Sequence, residues 1–261
     1  MSVRGDGAWL GFTAATDDGP VDAFLAPLDA PDPLAAVRLS DLVDPERRAQ
    51  APIFVPGHED LVLYLAGFGW YEDSLWYVDL SGPAPAAPVR VDDPLPDDHD
   101  LYGPVVAPDG HALVYWVGSN TGGGELMFVD LSTGVPQAPI RLSTLGDGQV
   151  GQQSFMTWSP DSRLVAYQAA HRQPGTRDAY VVEASGSDPG EPRLVSALET
   201  GALSMLRFDD ASQWLYFIGR QDGDEPQLHR VEVSGAEPGP SQHLSDGDMF
   251  VFERVIPSPD W

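Results

Sequence analysis

The chain has 261 residues, enough for two average domains or for one large all-β domain. Its formal charge of −26 comes from 40 acidic residues and 14 basic residues, all of them arginine, so its surface repels phosphate and nucleic acid is excluded as a partner. The lack of cysteine excludes disulfides and thiolate metal sites, and no apolar run reaches the roughly 18 residues of a membrane span.

A turn signal recurs along the chain at nearly constant spacing. Its clearest forms are Ser-Pro-Asp-Ser at 159–162 and Pro-Asp-Gly at 108–110, each leading into a strand of alternating character. Aligned turn positions lie 50, 53, 52, 49 and 50 residues apart, at Gly7, Gly57, Gly110, Ser162, Ala211 and Trp261. A strand-rich repeat of this length predicts a β-propeller.

Each repeat predicts four strands, as one propeller blade requires. The second strands carry an aromatic residue at a matching place, which we interpret as core: Phe12, Tyr64, Tyr115, Tyr167 and Phe217. The third strands are predicted at 24–28, 75–80, 126–131, 179–184 and 228–233. The fourth strands are predicted at 37–39, 89–91, 140–142, 193–195 and 242–244.

An acid on the third strand is followed 10 or 11 residues later by a base on the fourth. This spacing predicts cross-strand ion pairs on the outer edge of four blades, where they would also discourage edge-to-edge association. The predicted pairs are Asp79 with Arg90, Asp130 with Arg141, Glu183 with Arg193, and Glu232 with His243. In the first repeat Pro27 replaces the acid before Arg38, so that hairpin is expected to be the weakest of its sheet.

The repeat predicts one domain, a five-bladed β-propeller over residues 1–261. The chain begins near a turn and reaches the same turn one repeat later, so Phe250 to Pro257 is expected to supply the innermost strand of the first blade. That composite blade would close the ring and remove exposed strand edges. The alternative is a fragment of a propeller with six to eight blades. The approximate blades are 250–261 with 1–43, 44–93, 94–144, 145–197 and 198–249.

The turn motifs, together with Val-Asp-Leu at 78–80 and 129–131, resemble the TolB-type propeller repeat, often described as WD40-like. The resemblance covers nearly the whole chain through a short, degenerate motif. It implies a rigid disc that binds proteins or peptides, frequently in the bacterial envelope. Similar propellers cap the active sites of prolyl oligopeptidase-like enzymes, but this sequence has no Gly-x-Ser-x-Gly nucleophile motif.

In a propeller the loops from fourth to first and from second to third strands gather on one face, where function is expected. Trp70 and Tyr71 lie in a glycine-flanked loop predicted at 68–74, and they either anchor a ligand or fold back over the blade. His171, Arg172 and Arg177 form a basic cluster that either holds a carboxylate or neutralises nearby acids.

Acidic loops with glycines offer the oxygen ligands that Ca²⁺ needs, although none has the full calcium-loop spacing. The weak calcium candidates are Asp98, Asp100, Asp222 and Asp224. The six histidines are too scattered to predict a zinc site. A propeller glycosidase would need paired carboxylates, for which Glu253 and Asp100 are the candidates.

The sequence therefore favours a non-enzymatic, TolB-like scaffold without a required cofactor. It is expected to bind a protein, a peptide or a small ligand through Trp70, Tyr71, Tyr102, His171 and Arg172. The alternatives are a propeller hydrolase, glycosidase-like, and a propeller module of a larger envelope or peptidase-like protein. The N-terminus lacks a signal-peptide core, which leaves the compartment open: we expect the periplasm or cell envelope if a leader was removed, and the cytoplasm otherwise.

Overall fold

The structure is a computed structural model that describes the greater part of the chain. It describes residues 1–15, 19–29, 36–40, 46–68, 71–82, 84–96, 99–119, 124–145, 156–169, 177–184, 190–196, 203–219 and 226–244, with backbone alone at 71–73, 144, 145 and 204. All regular elements in these ranges are strands, which confirms the all-β prediction. Accordingly, no described segment is a helix that could cross a bilayer.

Three four-stranded antiparallel sheets occupy the later part of the chain. The third sheet contains β10 (His99–Val106), β11 (Ala112–Ser119), β12 (Gly124–Asp130) and β13 (Ile140–Leu145). The fourth sheet contains β14 (Met156–Trp158), β15 (Leu164–Ala169), β16 (Asp178–Glu183) and β17 (Arg193–Leu194). The fifth sheet contains β18 (Leu203–Phe208), β19 (Trp214–Gly219), β20 (Gln227–Glu232) and β21 (Gln242–His243).

The first sheet, formed by the first repeat, and the second sheet, formed by the second repeat, are hydrogen-bonded to each other into one continuous sheet of nine strands. The first repeat contains β1 (Ser2–Val3), β2 (Trp9–Ala15), β3 (Val21–Pro27) and β4 (Val37–Arg38). The second contains β5 (Arg47–Ala49), β6 (Ile53–Val55), β7 (His58–Phe68), β8 (Tyr71–Asp79) and β9 (Val89–Arg90). A single parallel bridge between Val21 and Arg48 joins the two repeats. Both β5 and β6 pair with β7, so together they form one first strand interrupted before Pro52, which lacks a backbone donor.

The N-terminus corrects one detail of the predicted topology. Ser2 and Val3 pair with Gly11 and Leu10 of β2, so the chain enters at the end of a first strand and not at the turn itself. The Ser2 hydroxyl also donates to the carbonyl of Pro52. The segment predicted to fill this innermost position, 250–257, lies outside the described residues.

The repeated turn between first and second strands has one backbone conformation. Left-handed residues close it at Gly7, Gly57, Gly110, Ser162 and Ser212, with φ between 57° and 73°. The predicted fifth marker, Ala211, was therefore wrong by one residue. Ser212 donates its N–H to the carbonyl of Asp209, three residues before it, and Gly7, Gly110 and Ser162 make the same bond in their own turns. The turn aspartates have a local role, since the Asp109 carboxylate accepts the N–H of His111 at 2.9 Å.

The predicted acid–base pairs on the outer strands were wrong. In the fourth and fifth sheets, residues of the third and fourth strands that face each other are 12 or 14 positions apart, as in Val181 with Arg193 and His229 with His243. The acids instead begin the connecting loop, where the Asp79 carboxylate accepts the N–H of Ser81 at 2.8 Å. The loop has the same closing hydrogen bond in four repeats, from residue i+7 to the acid's carbonyl: Ala86 to Asp79, Gln137 to Asp130, Gly190 to Glu183 and Gly239 to Glu232.

The chain divides into two compact units, residues 1–117 with 127–140 and residues 118–126 with 141–261. Each has its own apolar core between successive sheets. In the first unit, one cluster groups Ala23, Leu25 and Leu39 with Val62, Tyr64 and Val78. In the second unit, Ala166, Val181 and Val195 of the fourth sheet group with Leu215, Phe217 and Val231 of the fifth. Alternate residues of each strand thus face a neighbouring sheet, as in stacked propeller blades.

Candidate functional site

The predicted ligand residues lie only partly within the described structure. Tyr71 and Tyr102 are described, the former by its backbone alone. Outside the described residues lie Trp70, His171, Arg172, Asp98, Asp222, Asp224 and Glu253. Among the described candidates, the structure brings Tyr102 and Asp100 into contact.

The loop expected at 68–74 is much shorter than predicted. Strand β7 continues to Phe68 and β8 begins at Tyr71, and these two residues are paired across the hairpin. Only residues 69 and 70 remain between the strands, and both lie outside the described residues.

Tyr102 and Asp100 contact each other on the innermost strand of the third sheet. The Tyr102 hydroxyl donates to Oδ2 of Asp100 at 2.7 Å, and the Asp100 residue is only 3% exposed. Two residues apart on β10, they face the same side of the sheet. Asp100 is thus a buried acceptor for the tyrosine. Among the described residues, no group of three or more His, Asp and Glu side chains could hold a metal ion.

A buried polar cluster supports the start of the third strand in the first sheet. The Ser40 hydroxyl accepts the N–H of Ala23 at 2.9 Å and donates to Oδ1 of Asp22 at 2.6 Å. Arg38 completes the cluster, because its guanidinium lies 2.6 Å from Oδ2 of Asp22. Both Asp22 and Ser40 are buried. The cluster satisfies a backbone donor directly beneath the loop between second and third strands.

The same cluster recurs with exchanged residue types in other sheets. In the second sheet, Asp92 accepts the N–H of Leu75 at 2.6 Å and pairs with Arg90 at 2.6 Å. In the fourth sheet, the Ser196 hydroxyl accepts the N–H of Ala179 at 2.7 Å. In each of these repeats, a buried side-chain hydrogen bond therefore satisfies a backbone N–H at the start of the third strand.

Arg47 and Phe68 form a surface that the sequence did not single out. The guanidinium carbon of Arg47 lies 5.0 Å from the centre of the Phe68 ring, and Phe68 is 39% exposed at the hairpin tip. Arg47 Nε is buried and has no hydrogen-bond partner. Such a donor is costly to leave unsatisfied and calls for an explanation, such as a ligand. The signal in the sequence was the pair Arg47-Arg48, a second basic pair besides the one near His171.

The electrostatics around Arg47 link it to the buried cluster of the first sheet. Burial raises the pKa of the Tyr64 hydroxyl above its ordinary value, the nearby Asp22 carboxylate raises it further, and Arg47 opposes both. Tyr64 therefore stays protonated at neutral pH. Asp22 already binds Arg38 and Ser40. The described structure thus contains no ion pair of Arg47, which remains a cation beside the hairpin tip.

No known protein family matches the sequence, and no curated protein matches it. Solved structures do resemble it. A prolyl endopeptidase aligns at 16% identity with a TM-score of 0.58, and the alignment covers 92% of this chain and 34% of the endopeptidase chain. An oligogalacturonate lyase in complex with manganese aligns at 18% identity with a TM-score of 0.54, and the alignment covers 92% of this chain and 64% of the lyase chain. A putative TolB from Agrobacterium tumefaciens aligns at 14% identity with a TM-score of 0.45, covering 92% and 78%.

These likenesses concern the fold alone, because every identity is below 20%. The prolyl endopeptidase and the lyase both contain propellers, and the chain spans about a third of the former and less than two thirds of the latter. Together with the four-stranded sheets, they show that the protein has the architecture of a β-propeller. The chain is thus a β-propeller protein, and a propeller fold does not by itself define a function.

Proposed function

We propose that the protein is a non-enzymatic, TolB-like propeller scaffold that binds a protein, a peptide or a small ligand on the face formed by its second-to-third and fourth-to-first loops. The contacts proposed from the sequence are Trp70, Tyr71, Tyr102, His171 and Arg172. The aromatic rings would anchor the ligand, and the basic side chains would bind an acidic group on it. Arg47 and Phe68 are added to them as further described residues of the site.

The single observation that carries this proposal is the guanidinium group of Arg47, which lies over the partly exposed ring of Phe68 and has no ion pair among the described residues. A carboxylate is the natural acceptor for such a guanidinium, since the two groups match in charge and in planar geometry. The formal charge of −26 makes an unpaired cation on this face conspicuous, because acidic side chains are abundant elsewhere. The proposed ligand therefore carries an acidic group next to an apolar or aromatic portion.

The proposal includes closure of the five sheets into one ring. Residues 250–257 have the pattern of a first strand and precede Ser-Pro-Asp at 258–260, as β14 precedes the same motif at 159–161. Because Ser2 and Val3 already pair with Gly11 and Leu10 of β2, the segment would dock beside the rest of β2, along Phe12 to Ala15, and would bring the loops of all five repeats to one face. The alternative, a propeller with more blades, would keep Arg47 and Phe68 together while changing their distant neighbours.

The experiment is a binding screen of the purified full chain against an array of peptides. Each peptide is present in two forms, one with its acidic residues intact and one with Asp and Glu replaced by Asn and Gln. Wild-type protein should retain acidic peptides that contain an aromatic or aliphatic residue. Arg47→Ala should weaken binding at least about tenfold, because a hydrogen bond to a charged group contributes about 1.5–3 kcal/mol. Trp70→Ala and Arg172→Ala should weaken it as well.

Arg48→Ala is the matched control, because the neighbouring exposed arginine has the same charge. It should reduce binding less than about twofold. Equal losses for Arg47→Ala and Arg48→Ala would show that only net charge matters. Unchanged binding by Trp70→Ala, Arg172→Ala and Arg47→Ala together would rule out this face.

A further inference from the structure

The fifth sheet carries a row of three rings across its outer strands. Phe217 on β19 lies opposite His229 on β20, and His229 lies opposite His243 on β21. The ring centres are 5.2 Å apart in each pair, with interplanar angles of 9° and 31°. The row therefore ends in two imidazoles placed side by side at the edge of the sheet.

The equivalent row differs in the other sheets that have the same register. The first sheet has Phe24 opposite Arg38, and the second has Trp76 opposite Arg90. The fourth sheet has Tyr180 opposite Leu194. Among these described rows, the two-histidine pair occurs in the fifth sheet, so it does not follow from the repeat itself.

The two histidines differ in exposure in a way that suits an accessible site. His243 is exposed on the outermost strand, whereas His229 is half-buried against Phe217. The Ser241 hydroxyl lies 3.4 Å from Nδ1 of His229. When Nδ1 donates to this hydroxyl, Nε2 carries the lone pair of the neutral ring. The buried ring is thus held in place while the outer ring has room to rotate.

The charge of the chain also suits metal binding. Imidazole binds a metal ion in its neutral form. A chain with a formal charge of −26 also attracts cations to its surface.

We propose that His229 and His243 together bind one divalent transition-metal ion of the zinc, nickel and copper group at the outer edge of the fifth sheet. Imidazole nitrogen is a preferred ligand of these metals. Side chains directly opposite in an antiparallel pair start from β-carbons about 5 Å apart, and metal–nitrogen bonds are about 2 Å long, so one ion reaches both rings after a rotation of His243. Water completes the coordination.

The consequence is a metal clip between β20 and β21. Strand β21 has only two residues, Gln242 and His243, and both are exposed. An ion bound to both strands stabilises the folded edge by mass action, because the unfolded chain does not hold the two rings together. This site is independent of the proposed ligand face and does not require the proposed function.

The test uses the untagged full chain and isothermal titration with NiCl₂ and ZnCl₂ at pH 7.5, followed by thermal unfolding with and without metal. Wild-type protein should bind one ion per chain and unfold at a higher temperature with metal. His243→Ala should lower the affinity at least about tenfold, since even loss of an indirect partner costs 10–100-fold at metal sites. Because His243 is exposed, this variant should remain folded.

His111→Ala is the control, because exposed His111 also lies beside a second histidine, His58, with ring centres 5.8 Å apart. Its affinity should equal that of the wild type. The proposal is overturned if the wild type shows no saturable binding, if His243→Ala binds as tightly as the wild type, or if His111→Ala is the variant that loses binding. Lowering the pH to 5.5 should weaken wild-type binding, because protons compete for both imidazoles.

Discussion

Individual residues in the repeated turns show how far local chemistry determines the backbone. Gly110 and Ser162 both adopt the left-handed conformation, with φ of 73° and 60°. Glycine does so without a steric penalty, whereas serine needs the support of the surrounding turn. The sequence predicted these positions from Pro-Asp-Gly and Ser-Pro-Asp-Ser. It misplaced the fifth turn because Asp209 to Ser212 lacks the Pro-Asp pair that fixes the alignment of the other two turns.

Gly110→Ala is expected to destabilise the protein strongly. A β-carbon at this position would lie 1.7 Å from the Pro56 carbonyl oxygen, which belongs to the backbone and cannot rotate away. Gly7→Ala is the matched control, since Gly7 has the same φ of +73° and no atom within 4 Å of the added carbon. Urea unfolding should give a loss of about 1–2 kcal/mol for Gly7→Ala and about 3 kcal/mol or more for Gly110→Ala. Equal losses would contradict the close contact with Pro56.

His229 should make stability depend on pH between about 7 and 5. Because burial and His243 lower the pKa of His229 in the folded state, the unfolded chain binds more protons below its own pKa of about 6.5. The free energy of unfolding therefore decreases as the pH falls through this range. His229→Phe keeps the stack on Phe217 and should lose less stability between pH 7.5 and 5.5 in urea unfolding. An identical loss in both proteins would show that His229 does not titrate as described.

At the scale of strands, the sequence predicted the existence and order of the elements well. It did not predict which residues of the third and fourth strands lie opposite each other. Equal spacing of acids and bases suggested cross-strand pairs, but a loop that closes between residues i and i+7 moves the acids into the turn. Arg141 consequently pairs with Glu125 at 2.7 Å instead of with Asp130. Register depends on loop geometry that residue spacing alone does not define.

The buried hydroxyl of Ser196 should be important for the fourth sheet. Ser196 is 2% exposed and accepts the N–H of Ala179 at 2.7 Å, so Ser196→Ala leaves a buried backbone donor unsatisfied. We expect a loss of about 1–3 kcal/mol in the free energy of unfolding. Ser234→Ala removes an exposed hydroxyl that binds Glu232 and should change stability by less than about 0.5 kcal/mol. A small effect of Ser196→Ala in denaturant titration would mean that another group satisfies Ala179.

At the scale of the whole molecule, the periodicity was enough to predict a propeller but not its site. The period of about 50 residues appears directly in the sequence, and the strands follow it in every repeat. The pairing of Arg47 with Phe68 could not be predicted, because these residues lie 21 positions apart in a strand and a hairpin whose bounds were expected elsewhere. Whether the proposed ligand face exists as a whole depends on closure of the ring.

The most direct test of closure is a disulfide between the first blade and the C-terminal segment, which is clean because the chain contains no cysteine. Extending the register of β14 with β15 to the matching motif places Arg254 opposite Thr13 of β2. Arg230→Cys with Gln242→Cys, at paired positions of β20 and β21, is the positive control.

Mild oxidation of Thr13→Cys with Arg254→Cys should give a monomeric, cross-linked chain that migrates faster in a non-reducing gel. Reduction should restore the mobility. If the control pair cross-links while Thr13→Cys with Arg254→Cys gives only free thiols or dimers, the five sheets do not close into a ring through residues 250–257.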